Sequence, residues 1–119
     1  MSEFITIGEP LVVLASENQD ISLEAADHFS KFLAGAELNV AIGMSRLGHE
    51  ATYISKVGDD SFGNFIIESI RKAKIDDSYL TKDKKYSTGF YLKQKVSDAT
   101  RLSIIIAKTL PPLIYLVLN

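Results

Sequence analysis

The sequence predicts an α/β fold: a parallel sheet with covering helices, plus a small separate β layer. Three observations carry this prediction. Strand-like and helix-like segments alternate between residues 37 and 73, the order expected of a parallel sheet with crossover helices. Residues 61–73 place Phe62, Phe65, Ile66, Ser69, Ile70 and Ala73 on one helical face. Further apolar or alternating segments at 11–15, 28–33 and 88–96 fit no plain doubly wound sheet, and they predict an antiparallel layer of their own.

In chain order, residues 4–8 predict a short strand, stopped by Gly8 and Pro10. Residues 11–15 are a second short apolar run. The segment 16–27 is polar, with one helical turn expected from Ser22 to Ala26. Residues 28–33 alternate imperfectly, as an exposed strand does. From Glu37 to Leu47 a helix follows: Val40, Met44 and Leu47 share one spacing, Leu38 and Ile42 another. Gly48 ends it. Residues 50–57 predict a strand, and Gly58-Asp-Asp-Ser61 a turn whose carboxylates cap the next helix. Residues 76–86 predict a polar connection around Tyr79 and Leu80, and 88–96 a strand with one wet face.

Composition excludes several classes of function. The chain has 119 residues, 13 Lys and Arg against 15 Asp and Glu, and a net charge of −2. No basic surface for nucleic acid or anionic membrane is expected. There is no cysteine, so disulfide frameworks, thiolate zinc sites and cysteine nucleophiles are excluded. His28 and His49 lack metal-ligand spacing. The N-terminus lacks the basic-then-apolar layout of a signal peptide, which predicts a cytoplasmic protein.

Several residues invite a functional reading beside a plainer one. Ala34-Gly35-Ala36-Glu37 is a small-residue turn entering a helix. It allows a ligand close to backbone amides, or serves only to turn the chain. Asn39 is a poor helix former near that helix start. Its amide suits a polyhydroxyl ligand, or simply bonds to backbone or solvent. Asp59 and Asp60 are metal ligands or, more simply, a helix cap. Glu9 follows a strand end, where open α/β sheets bind ligands. Tyr91 is a packing residue or a ligand contact. His49 reads as a solvated loop residue.

In this order the pieces resemble the start of a ribokinase-type (PfkB-type) carbohydrate kinase. The first signature of that family corresponds to Asn39, Ala41, Gly48 and Gly58, with Glu37 where a strict small residue is usual. That departure is similar to the 2-keto-3-deoxygluconate kinases. So are Gly8-Glu-Pro-Leu11, Gly35-Ala-Glu-Leu-Asn-Val40, Arg46-Leu-Gly48, Val57-Gly-Asp-Asp-Ser-Phe-Gly63 and Thr88-Gly-Phe-Tyr-Leu92. The resemblance covers residues 4–98. It implies the N-terminal part of a ribokinase-like fold with a β-sheet lid built from 11–15, 28–33 and 88–96. It implies a sugar or sugar acid under that lid, contacted by Gly35, Ala36, Glu37, Leu38, Asn39 and Tyr91, with Glu9 a further position. ATP and magnesium serve the full-length family, whose general base is an Asp in a Gly-Ala-Gly-Asp motif. That motif and the nucleotide half are absent here, so no catalytic residue, no metal ligand and no good nucleotide binding are expected. A related fructokinase or ribokinase, or a non-catalytic module that associates through the lid, are the alternatives.

The composition breaks near residue 99. From Ala99 to Asn119 there is no acid and no glycine, and only Arg101 and Lys108 carry charge. Pro111 and Pro112 interrupt the apolar run, which is too short for a membrane span. It has the marks of an aggregating segment. One codon choice for residues 98–106, with a single G restored after codon 98, reads Asp-Gly-Asp-Pro-Thr-Val-Tyr-Tyr-Tyr and continues Arg-Lys. The kinase resemblance predicts that text. The expectation is therefore a kinase segment over 1–98 and a tail over 99–119 in a shifted reading frame.

Overall fold

The computed structural model describes residues 3–97, and residues 104–107 as a strand. In chain order the elements are β1 (Phe4–Ile7), β2 (Leu11–Ser16), β3 (Phe29–Ala34), α1 (Ala36–Arg46), β4 (Ala51–Gly58), α2 (Ser61–Lys72), β5 (Leu80–Asp83), β6 (Phe90–Lys93) and β7 (Ile104–Ala107). They form two sheets. One is three-stranded with order β1-β4-β5; the other is four-stranded with order β3-β2-β6-β7.

The first sheet is wholly parallel. Phe4 pairs with Ala51 and Ile7 with Ile54, while Ser55 pairs with Leu80 and Gly58 with Asp83. Strand order advances one way across this sheet, so right-handed crossovers bring both helices to the same face. Leu38 and Ala41 of α1, and Ile66 and Ile70 of α2, join Ala51, Tyr53 and Val57 of β4 in one core. Alternate residues of β4 therefore supply the helix-facing side. Ile5 and Ile7 of β1 point the other way, 61% and 43% exposed.

Most of α2 follows the sequence prediction, with a shift in emphasis. Ile66, Ile70 and Gly63 are its buried residues. Phe62 and Phe65 are only partly buried against the core. The Phe65 ring carries the Lys31 ammonium 4.2 Å above its centroid, a contact that needs an accessible ring.

Two sequence expectations need correction. Residues 76–86 are not all connection, because Leu80–Asp83 is a parallel edge strand. Its one apolar residue, Leu80, gives no alternation to detect, and charged residues are what sheet edges carry. The second layer is mixed rather than antiparallel. β2 and β3 are antiparallel, but β2 and β6 are parallel, with Val12 opposite Phe90 and Ala15 opposite Lys93. Parallel pairing demands a long crossover, and the whole α1-to-β5 unit forms it. Residues 22–26 make one turn, with Ala25 and Ala26 amides donating to the Ser22 carbonyl.

β7 pairs antiparallel with β6, Tyr91 opposite Ile106 and Lys93 opposite Ile104. The triple Tyr of the shifted frame would fall at these same positions, 104–106. Ile and Tyr both favour strands, so this pairing is compatible with either frame. The rest of the expected tail lies outside the described residues.

Candidate functional site

The second sheet stands over the start of α1, and two close approaches fix that geometry. Gly35 precedes the helix at φ 126°, a conformation that only glycine adopts without strain. A Cβ there would meet the Glu9 carbonyl oxygen at 3.0 Å. Glu37 lies across Gly8, where a Cβ would come within 2.6 Å of the Glu37 Cβ. The first turn of α1 is thus pressed onto the β1–β2 connection, and Asn39 follows it under the sheet.

A cleft of about 660 Å³ opens there. Its inner layer holds Phe32, Val13 and Tyr91, neighbours across β3, β2 and β6. The next layer holds Ser30, Ala15 and Lys93 in the same strand order. Glu17 and Lys95 stand at the outer rim, and Asn39 enters from α1. The Ser30 hydroxyl donates to Glu17 Oε1 at 3.1 Å. The cleft is therefore apolar on one side and supplied with amide, phenol, hydroxyl and ammonium groups elsewhere. Such a mixture suits a small polyhydroxyl ligand, with a few polar groups fixing its orientation.

Of the sequence-derived candidates, Asn39 and Tyr91 both line the cleft. Gly35, Ala36 and Glu37 form the turn that leads to Asn39 and do not line the wall themselves. Leu38 is fully buried, and its side chain belongs to the core. Glu9 sits in the β1–β2 connection, half-buried and away from the wall. Sequence reasoning missed Phe32, Ser30, Lys93 and Lys95. Strand alternation from Tyr91 would have found both lysines.

Asp60 resolves the choice between cap and metal ligand in favour of the cap. Its Oδ1 accepts from the Gly63 amide at 2.8 Å and from the Thr88 hydroxyl at 2.7 Å; Oδ2 accepts from the Thr88 amide at 2.9 Å. Burial pushes this carboxyl up, but the hydrogen bonds from Thr88, Gly63 and Phe62 outweigh it and hold it below the usual range. His49 is exposed, and its Nδ1 lies 2.7 Å from Glu3 Oε2.

Tyr53 is fully buried on β4. Burial pushes its phenol up, Ser55 pulls it down, and the nearby Glu37 and Glu9 raise it further. Ser55 donates instead to the Lys56 carbonyl, and no described group meets the phenol oxygen in hydrogen-bonding geometry. Among the described residues no group of three His, Asp or Glu side chains is placed to hold a metal ion. No helix among the described residues is long and apolar enough to cross a membrane.

A parallel sheet, a small sheet standing over its leading helix and a cleft beneath that small sheet place the chain among α/β proteins with a second β layer. The family model for pfkB family carbohydrate kinases matches residues 1–110, and the chain belongs to that family. A sugar kinase of Pyrococcus horikoshii is 42% identical over 75% of this chain and 28% of its own length. The 2-dehydro-3-deoxygluconokinase of Bacillus subtilis is 39% identical over 79% of this chain and 29% of its own. The PfkB protein of Polaromonas sp. JS666 superposes with a TM-score of 0.84 at 35% identity, covering 91% of this chain and 36% of that one. The Pyrococcus horikoshii sugar kinase solved in complex with ATP superposes at 0.80 and 36% identity, covering 88% of this chain and 34% of that one. The chain thus spans less than a third of the length of the curated relatives it matches.

Proposed function

We propose that this chain is the sugar-binding first part of an ATP-dependent kinase for 2-keto-3-deoxygluconate (2-dehydro-3-deoxygluconate) or a related sugar acid, and that it does not turn over alone. The observation that carries the reading is that Asn39 and Tyr91 line one cleft. They arrive from separate elements, α1 and β6, and both bear groups suited to sugar hydroxyls. Gly35, Ala36 and Glu37 support the site by seating α1, and Glu9 supports it through its backbone contact with Gly35. The similarity to a 2-dehydro-3-deoxygluconokinase favours a sugar acid. A fructokinase-like substrate is the neighbouring reading, favoured by 35% identity to the probable fructokinase-2 of Arabidopsis thaliana.

ATP and magnesium belong in this proposal to the whole kinase. Bound ATP would supply the phosphoryl group; the residues described here orient the acceptor and screen it from water. The tail 99–119 is proposed to be a shifted frame, with the kinase text one base away. A second reading, association through the lid, is favoured by the exposed Phe32 on edge strand β3. The test is turnover. The 119-residue chain should yield no ATP-dependent product, whereas the frame-restored full coding sequence should phosphorylate 2-keto-3-deoxygluconate in preference to fructose or ribose. Product from the chain alone, or no kinase text in the neighbouring frame, contradicts the reading.

A further inference from the structure

β6 has two faces. Phe90 packs against the core, and Tyr91, the next residue, lines the cleft. Their partners on β2 divide the same way, Val12 in the core and Val13 in the cleft. Successive strand residues point to opposite faces. Whatever fixes Phe90 and the chain before it therefore also fixes the direction of the Tyr91 side chain.

The start of α2 does the fixing. Asp60 accepts from the Thr88 hydroxyl at 2.7 Å and from the Thr88 amide at 2.9 Å, and the same hydroxyl accepts from the Gly58 amide at 2.9 Å. Two residues on, the Phe90 ring lies 5.5 Å from the Phe62 ring, centroid to centroid. Between these anchors the Gly89 carbonyl accepts from the Val12 amide at 3.2 Å. The knot is tightly closed: a Cβ on Gly58 would lie 2.5 Å from both Asp60 Oδ2 and the Thr88 nitrogen. Residues 88 to 90 are thus held from α2, β4 and β2, and Tyr91 follows directly. A slip of one residue in this register would turn the Tyr91 side chain away from the cleft.

We propose that Asp60 and Thr88 are positioning residues for sugar binding, setting the register that aims Tyr91 into the cleft although neither lines it. The proposal rests on the cleft being the sugar site, and it adds the residues that keep that site in order.

Calorimetric titration of the full 119-residue chain with 2-keto-3-deoxygluconate tests it, each variant being held below its melting temperature. Thr88→Val should weaken binding about tenfold, and Thr88→Ser, which keeps the hydroxyl, should retain most of the affinity. Asp60→Asn keeps an oxygen for the Gly63 amide and turns a donor toward the Thr88 amide, so it should weaken binding as well. Ile66→Ala, a core change, should lower the melting temperature and leave the affinity of the folded chain unchanged. Tyr91→Phe should weaken the parent but add almost nothing to Thr88→Val, because the phenol is already misplaced there. A merely structural role would not produce that non-additivity. If Thr88→Val does not fold, the cycle is closed with Asp60→Asn. Additive losses, an equal loss of affinity in Ile66→Ala, or full affinity in Thr88→Val and Asp60→Asn overturns the positioning role while leaving the cleft as a sugar site. A parent chain that binds no sugar overturns the cleft assignment, and the positioning role falls with it.

Discussion

The Thr88 hydroxyl donates to Asp60 at 2.7 Å while accepting from the Gly58 amide at 2.9 Å. One side chain thus ties the N-terminus of α2, the end of β4 and the approach to β6 together. Thr88 is 1% exposed, so its own hydroxyl has no water to fall back on. Thr88→Val keeps the shape and removes both bonds. It should destabilise the chain by about 1–3 kcal/mol, and Asp60→Ala by at least as much, because it also uncaps the helix. Urea denaturation measures both.

Asp60 makes stability depend on pH in a defined direction. Its folded pKa lies below its ordinary value of 3.8. Its contribution is therefore complete above the ordinary value and fades as pH falls through the folded one. Denaturation midpoints followed from pH 6 to pH 3 should drop more steeply in the parent chain than in Asp60→Asn. Parallel curves would show that the carboxylate is not coupled to folding.

Ile66 and Phe65 are adjacent on α2 but differ in burial. Ile66 is fully buried, whereas Phe65 is partly open beneath Lys31. Ile66→Ala should cost about 2–5 kcal/mol. Phe65→Ala should cost less, although the side chain lost is larger. Equilibrium unfolding of the two variants side by side checks the order.

Gly63 lies against the β4 terminus, where a Cβ would sit 2.1 Å from the Gly58 carbonyl oxygen. The Gly58 backbone and the hydrogen-bonded Thr88 hydroxyl, 3.2 Å away, leave little room to yield. Gly63→Ala should cost about 1–3 kcal/mol or more, despite alanine being the better helix former. A melting temperature unchanged from the parent would contradict this packing.

Ile5 and Ile7 lie exposed on the helix-free face of the parallel sheet. Such sheets are ordinarily covered on both faces. Ile5→Thr with Ile7→Thr should reduce self-association in sedimentation while shifting stability by only about 0.5 kcal/mol. Removal of residues 99–119 should reduce aggregation further without producing activity.

Periodicity exposed what depended on apolar repeats: α2, the core strand β4, and the second-sheet strands at 11–15 and 28–33. It could not expose β5, whose Leu-Thr-Lys-Asp has one apolar residue at a sheet edge. Nor could it orient β6 against β2, since direction depends on the long crossover between them. Asn39 and Tyr91 were legible through motif text. Lys93 was not, because a lysine on an alternating strand looks like any wet face until the cleft shows where that face points. Leu38 sits inside the Gly35–Val40 motif for packing, and motif text alone does not separate a core residue from its cleft-lining neighbour.

The most direct test of the central claim is a ¹⁵N chemical-shift map of the chain titrated with 2-keto-3-deoxygluconate. The account predicts saturable shifts at Asn39, Tyr91, Lys93 and the Ser30–Phe32 stretch of β3, with the helix-free face around Ile5 and Ile7 silent. Shifts confined to that face, or no saturable shift in the cleft, would contradict it.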